Sequence, residues 1–75
     1  MTVKLHETPF RDLVIVEVAV HKDSRGFFME SWNRQAFADG GLDVDFVQDN
    51  HSRSVASVLR GLHYQDSTAP IAKLV

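Results

Sequence analysis

The sequence contains no cysteine. That excludes disulfide staples, thiolate zinc sites and a cysteine nucleophile, and it fits a reducing cytosol. No apolar run approaches the ~18 residues of a membrane-spanning helix, so no membrane association is expected. Met1–Pro9 carries Lys4, His6 and Glu7 and has no apolar h-region, so no secretory signal is expected either. Neither sign of charge dominates: eight Lys and Arg face ten Asp and Glu, for a formal net charge of −2. Basic residues are scattered and the pI is near 6.0, which argues against a nucleic-acid footprint. The glycine-rich phosphate loops GxGxxG and GxxxxGK[ST] are missing, and so is the GxSxG elbow. The four histidines, His6, His21, His51 and His63, have no HxH or HExxH spacing, so no histidine metal site is expected. Repeats, low-complexity tracts and linkers are absent as well.

What is present is ordinary globular composition, 44% apolar over 75 residues, enough for one domain at most. A chain this short buries only about 60% of its unfolded surface, so marginal stability is expected. Leu13–Val20 is the clearest strand, with Val14, Val16, Val18 and Val20 on one face. Its other face (Leu13, Ile15, Glu17 and Ala19) is also mostly apolar, which predicts cover on both sides. His21–Gly26 predicts a polar turn, and Phe27–Glu30 a short strand. A short helix is expected near 33–38, with Ser31 as its N-cap and Gly40–Gly41 as its stop. Further strands are expected over Val44–Asn50, over Leu59–Gln65 (interrupted by Gly61) and from Ala72 to Val75. Phe27, Phe28 and Trp32 are simplest as core, and Tyr64 could pack its ring and leave its hydroxyl wet. The aliphatic end, Ile71, Ala72, Leu74 and Val75, predicts that residues 1–75 are the N-terminal part of a single longer domain, the alternative being a docked edge strand that happens to be terminal.

Three polar clusters lie among these strands. They are Asp23–Glu30, Gln48–Ser52, and Arg60–Gln65 followed by Lys73. Strand parity puts Gln48 and Asn50 on one face and His63 and Gln65 on another, with Arg60 opposite unless Gly61 bulges. Each residue also has a plain reading. His63 could be an exposed strand histidine, Arg25 and Arg60 surface ion-pair partners, Gln48 and Asn50 edge caps, and Lys73 a solvated side chain. From the residues alone these alternatives stay open.

The clusters, quoted as Asp23-Ser24-Arg25-Gly26-Phe27-Phe28-Met29-Glu30-Ser31-Trp32, Phe46-Val47-Gln48-Asp49-Asn50-His51-Ser52, Leu59-Arg60-Gly61-Leu62-His63-Tyr64-Gln65 and Lys73-Leu74-Val75, resemble the dTDP-4-dehydrorhamnose 3,5-epimerase family. Several long blocks in the right order form a specific signal, covering about Leu13 to Val75. The resemblance implies an all-β cupin-type jelly roll, incomplete in this chain, working as a homodimer without metal or organic cofactor. It implies a dTDP-linked 4-keto-6-deoxy sugar as substrate, epimerised at C3 and C5, in the cytoplasm. His63 matches the family's general base, and Lys73 matches the lysine beside the C4 oxygen, where an ammonium would stabilise enolate charge. Arg25, Glu30, Gln48, Asp49, Asn50 and Arg60 match substrate-binding positions. An imidazole titrates near neutral pH, which suits a base, and guanidinium forks suit a diphosphate. The family's acid tyrosine and the carboxylate that orients its histidine fall beyond position 75, and Tyr64 is in the wrong motif to be that acid. Between Gln65 and Lys73 the sequence departs from the family's usual proline pair and glutamine. Two alternatives accompany this expectation: a truncated, non-catalytic remnant or weak nucleotide-sugar binder, and a related epimerase acting at one carbon.

Overall fold

A computed structural model describes residues 1–75. The chain forms two compact units, Met1–Asp45 and Phe46–Val75. The first holds all the regular structure: β1 (Val3–Glu7), β2 (Val14–Val18), β3 (His21–Asp23), β4 (Gly26–Phe28) and α1 (Arg34–Asp39). β1 pairs with β2 and β3 with β4, both antiparallel, giving two separate two-stranded sheets. Small antiparallel sheets with one short helix are consistent with an incomplete all-β, cupin-like fold.

β2 is the expected strand, trimmed at both ends. Its partner β1 was not expected, although Val3-Lys4-Leu5-His6 alternates apolar and polar residues as a half-buried strand does. The register pairs Val3 with Val18 and Leu5 with Val16. Val3, Leu5, Val14, Val16 and Val18 therefore share one face, and that face is buried or half-buried. The opposite face, with Lys4, His6, Ile15 and Glu17, is exposed. Cover on both sides of β2 is thus not observed: a two-stranded sheet with one short helix has material for only one face. On the open face His6 Nε2 lies 2.7 Å from Glu17 Oε2. This bond, reinforced by the charges of His6 and Lys4, holds the Glu17 carboxyl below its ordinary range. The β1–β2 connection turns at Asp12, whose φ is +62°, and Thr8 Oγ1 ties it by donating to the Leu13 carbonyl at 2.7 Å.

The core of the first unit is small. Val3 and Phe37 are its buried apolar residues, and Phe37 is 1% exposed. Trp32 packs its ring on Phe37, with centroids 4.5 Å apart at 57°. α1 begins at Asn33, not at the expected Ser31: Asn33 Oδ1 accepts the Ala36 N–H at 2.9 Å, and the Asn33 carbonyl accepts from Phe37. Only the residue just before the first helical position can reach the N3 amide with a short side chain, and Ser31 stands too far upstream.

The helix ends where the two glycines predict. Leu42 N–H donates to the Phe37 carbonyl at 2.8 Å and Gly41 N–H to the Ala38 carbonyl at 3.1 Å, which is the Schellman pattern. Gly41 has φ +114° and Leu5 Cδ1 within 3.4 Å of where a Cβ would stand. Gly41→Ala is therefore expected to destabilise the first unit by about 1–2 kcal/mol, the cost of forcing an L residue out of its allowed region. A denaturant melt checks this, and an unchanged midpoint would show that the cap does not limit stability.

Residues 46–75 contain no strand, so the expected strands over Val44–Asn50, Leu59–Gln65 and Ala72–Val75 do not form. The reason is pairing: an extended segment becomes a strand only when a neighbour supplies its ladder. Short hydrogen bonds organise this unit instead, with a turn at Ala56–Ser57 and a loop closed by Gln65. Phe27, Phe28 and Tyr64, expected to pack, are 70%, 69% and 94% exposed.

Candidate functional site

Arg25 and Glu30 belong to the first unit. The segment expected as a polar turn is in fact a hairpin, with Ser24 and Arg25 as its tip between paired Asp23 and Gly26. Neither tip residue has positive φ, whereas Gly26 does at +130°, so glycine at that position supplies the twist that a primed turn would otherwise give. Asp23 holds the tip. Its Oδ1 accepts the Arg25 backbone N–H at 2.8 Å, and its Oδ2 accepts Arg25 Nε at 3.1 Å and Nη2 at 2.6 Å. The Arg25 side-chain bond, then its backbone bond, holds the Asp23 carboxyl below its usual range, and the guanidinium moves up in turn. A depressed carboxyl supports the turn above the ordinary carboxylate range and releases it as pH falls through the lowered value. Arg25→Ala is expected to move the Asp23 midpoint back up in a carbon-13 carboxyl titration. A midpoint that stays put would mean that Arg25 is not the cause.

Glu30 stands at the foot of the helix cap, its Oε1 accepting Asn33 Nδ2 at 2.7 Å. That one contact links an expected substrate-binding residue to the residue that starts α1. An open cleft of about 460 Å³ lies between Met1–Val3 and one side of α1, near Gln35 and Asp39. None of the candidate site residues lines it.

The second unit carries the other candidates, and here they are exposed. Gln48 Nε2 donates to Asn50 Oδ1 at 3.2 Å, a contact made without the strand on which the expected shared face depended. Asp49 lies between them and is exposed. Arg60 turns back on its own segment, with Nε donating to Ser54 Oγ at 2.6 Å and Nη2 to the Arg53 carbonyl at 3.3 Å. Gly61 does take a conformation that favours glycine, φ +149°, but without a strand it makes no bulge. His63 and Lys73 are exposed.

Gln65, which the sequence places in the third polar cluster without a role of its own, closes a loop here. Its Oε1 accepts the Ile71 N–H at 2.8 Å and its Nε2 donates to the Ile71 carbonyl at 3.2 Å. One side-chain amide thus imitates a strand partner and closes the loop between His63 and Lys73. The signal available was a glutamine directly before a polar, proline-containing loop. No three His, Asp or Glu side chains converge on a common point suited to a metal ion. No helix is long and apolar enough to cross a membrane.

Comparison with known proteins puts these residues in context. Residues 7–75 match the family model for dTDP-4-dehydrorhamnose 3,5-epimerase. A Shigella flexneri protein of that name is 51% identical over 70 residues, covering 92% of this chain and 39% of the relative. The Methanothermobacter thermautotrophicus protein is 49% identical over 69 residues, covering 92% of this chain and 37% of the relative. An Escherichia coli protein of the same name is 52% identical over 69 residues, covering 91% and 37%. The chain therefore spans less than two-fifths of the length of these relatives. No solved structure matches it. A family-model match over nearly every residue, including each position from Arg25 to Lys73, establishes that the chain belongs to the dTDP-4-dehydrorhamnose 3,5-epimerase family.

Proposed function

We propose that these residues are the N-terminal part of a single epimerase domain that inverts C3 and C5 of dTDP-4-dehydro-6-deoxy-D-glucose, giving dTDP-4-dehydro-L-rhamnose in the cytoplasm. The observation that carries this reading is the family-model match over residues 7–75, which takes in every candidate residue. In this reading His63 removes the proton next to the C4 ketone. The electron pair of that C–H bond moves into a C–C double bond, and the ketone oxygen takes up the charge. Lys73 places an ammonium beside that oxygen, where charge exists only after proton loss, so it favours the enolate over the ketone. A proton returned to the opposite face of the carbon completes the inversion, from an acid that residues 1–75 do not supply. Arg25 and Arg60 bind the diphosphate, and Glu30, Gln48, Asp49 and Asn50 hold the rest of the nucleotide sugar. No metal or organic cofactor enters this scheme, and the working form is a homodimer.

The test is a graft. Residues 7–75 replace the matching stretch of the Escherichia coli relative, and the chimera is incubated with the keto sugar in deuterium oxide. Turnover with deuterium entering at both C3 and C5 is expected. A folded chimera without exchange would overturn the proposal, and deuterium at one carbon alone would replace it with single-carbon epimerisation. The 75 residues by themselves are expected to show no turnover, because the unit holding His63 and Lys73 has no sheet to fix them.

A further inference from the structure

We infer that Asp23 is a positioning residue for Arg25, fastening one edge of its guanidinium and presenting the other to the diphosphate of the substrate. This rests on the proposed role of Arg25 as a substrate-binding residue. A guanidinium has two usable edges, and each can donate two parallel N–H bonds. Asp23 Oδ2 occupies the Nε–Nη2 edge, at 3.1 and 2.6 Å. The terminal Nη1–Nη2 edge is left for two oxyanion atoms. The arginine side chain is 89% exposed, so nothing but Asp23 confines it. Left free, it would sample many rotamers, and binding an anion would have to order them. Asp23 performs that ordering beforehand, from a hairpin whose tip it also fixes through the Arg25 backbone N–H. A carboxylate beside an anion-binding arginine has an opposing effect, since it repels the same anion. The two effects predict opposite signs for the loss of Asp23, which makes the inference testable.

The test uses the grafted chimera, residues 7–75 in the Escherichia coli relative, with nitrogen-15 labelled arginine and thymidine 5′-diphosphate as the probe. The Arg25 Nε–H signal is followed by NMR through a titration. Asp23→Asn keeps an Oδ1 acceptor for the backbone N–H and removes the charge on the side-chain edge. The expected result is a titrating Arg25 signal in the unaltered chimera and binding about three- to tenfold weaker in Asp23→Asn, with unchanged β3–β4 amide shifts. Equal or tighter binding in Asp23→Asn would overturn the inference and leave the role of Arg25 intact. An Arg25 signal that ignores the probe in the unaltered chimera would overturn both, a failure recognised before any variant is made. Should Asp23→Asn disturb the hairpin, Arg25→Lys decides instead, read from the β3–β4 amide signals because that variant has no Nε–H. Lysine keeps the charge but has no second edge to present while Asp23 holds the first, so Arg25→Lys is expected to bind the probe about three- to tenfold more weakly. Unchanged binding in Arg25→Lys would again overturn the inference.

Discussion

In the grafted enzyme, His63→Ala is expected to lower deuterium exchange at C3 and C5 by about 10²- to 10⁴-fold, the usual worth of a positioned general base. Affinity for the nucleotide sugar should stay largely unchanged, because His63 is proposed to touch the reacting hydrogens and not the diphosphate. Arg60→Ala supplies the contrast. Its guanidinium is a binding group in this scheme, so affinity should fall together with rate. Rates at saturating and at low substrate separate the two cases. Persistent exchange in His63→Ala would show that another group takes the proton. A joint loss of rate and affinity would make His63 a binding residue instead.

Phe37→Ala is expected to unfold the Met1–Asp45 unit. Truncating a buried phenylalanine costs about 3–5 kcal/mol. A unit this small holds only about 2–7 kcal/mol in all, at ordinary stability per residue. No second buried aromatic is present to take over, since Phe37 shares the core only with Val3 and the half-buried residues around it. Trp32 gives the readout, because its ring lies on Phe37 and its fluorescence should move to that of a solvated indole. Phe37→Leu, which keeps most of the volume, should leave a weakened but cooperative melt. Wild-type fluorescence and melting in Phe37→Ala would show that the unit is held by something other than this side chain.

Sequence reasoning reached local features and failed on distant ones, for a physical reason that particular residues make visible. The end of α1 was legible because Gly40-Gly41 carries its own stop, satisfied within the helix. The alternating valines of β2 were legible because period-two burial is written along one strand. β1 was missed although its alternation is similar, because only the ladder to β2 turns four alternating residues into a strand. Val44–Asn50 and Leu59–Gln65 failed the other way: their composition suits a sheet, and no neighbour pairs with them. The cap moved from Ser31 to Asn33 because boundaries depend on single side-chain reach, which composition does not encode. The site divides along the same line. The roles proposed for His63, Lys73 and the expected binding residues come from blocks of sequence through the family resemblance. Their geometry was not legible, since it depends on pairing that these residues do not make among themselves. The Asp23–Arg25 clasp and the Gln65–Ile71 closure are local, yet residue spacing does not specify which partner each side chain takes.

The contact between α1 and β1 sets an order of events. Gly40 lies so close against Val3 that a Cβ there would come within 3.1 Å of the valine's own Cβ and carbonyl oxygen. These two residues stand near opposite ends of the first unit: Val3 opens the first hairpin, and Gly40 follows the helix after the second. Each hairpin closes a short loop and can form within microseconds. The helix is too short to persist undocked, and its docking must close the longest loop in the unit before any burial of Phe37 repays it. On a ribosome, strand β1 would therefore emerge early and wait, paired with β2 but uncovered, until residues beyond Gly40 had cleared the exit tunnel. The half-buried valine face would be open to chaperones throughout that interval, and its protection would arrive in a single late step.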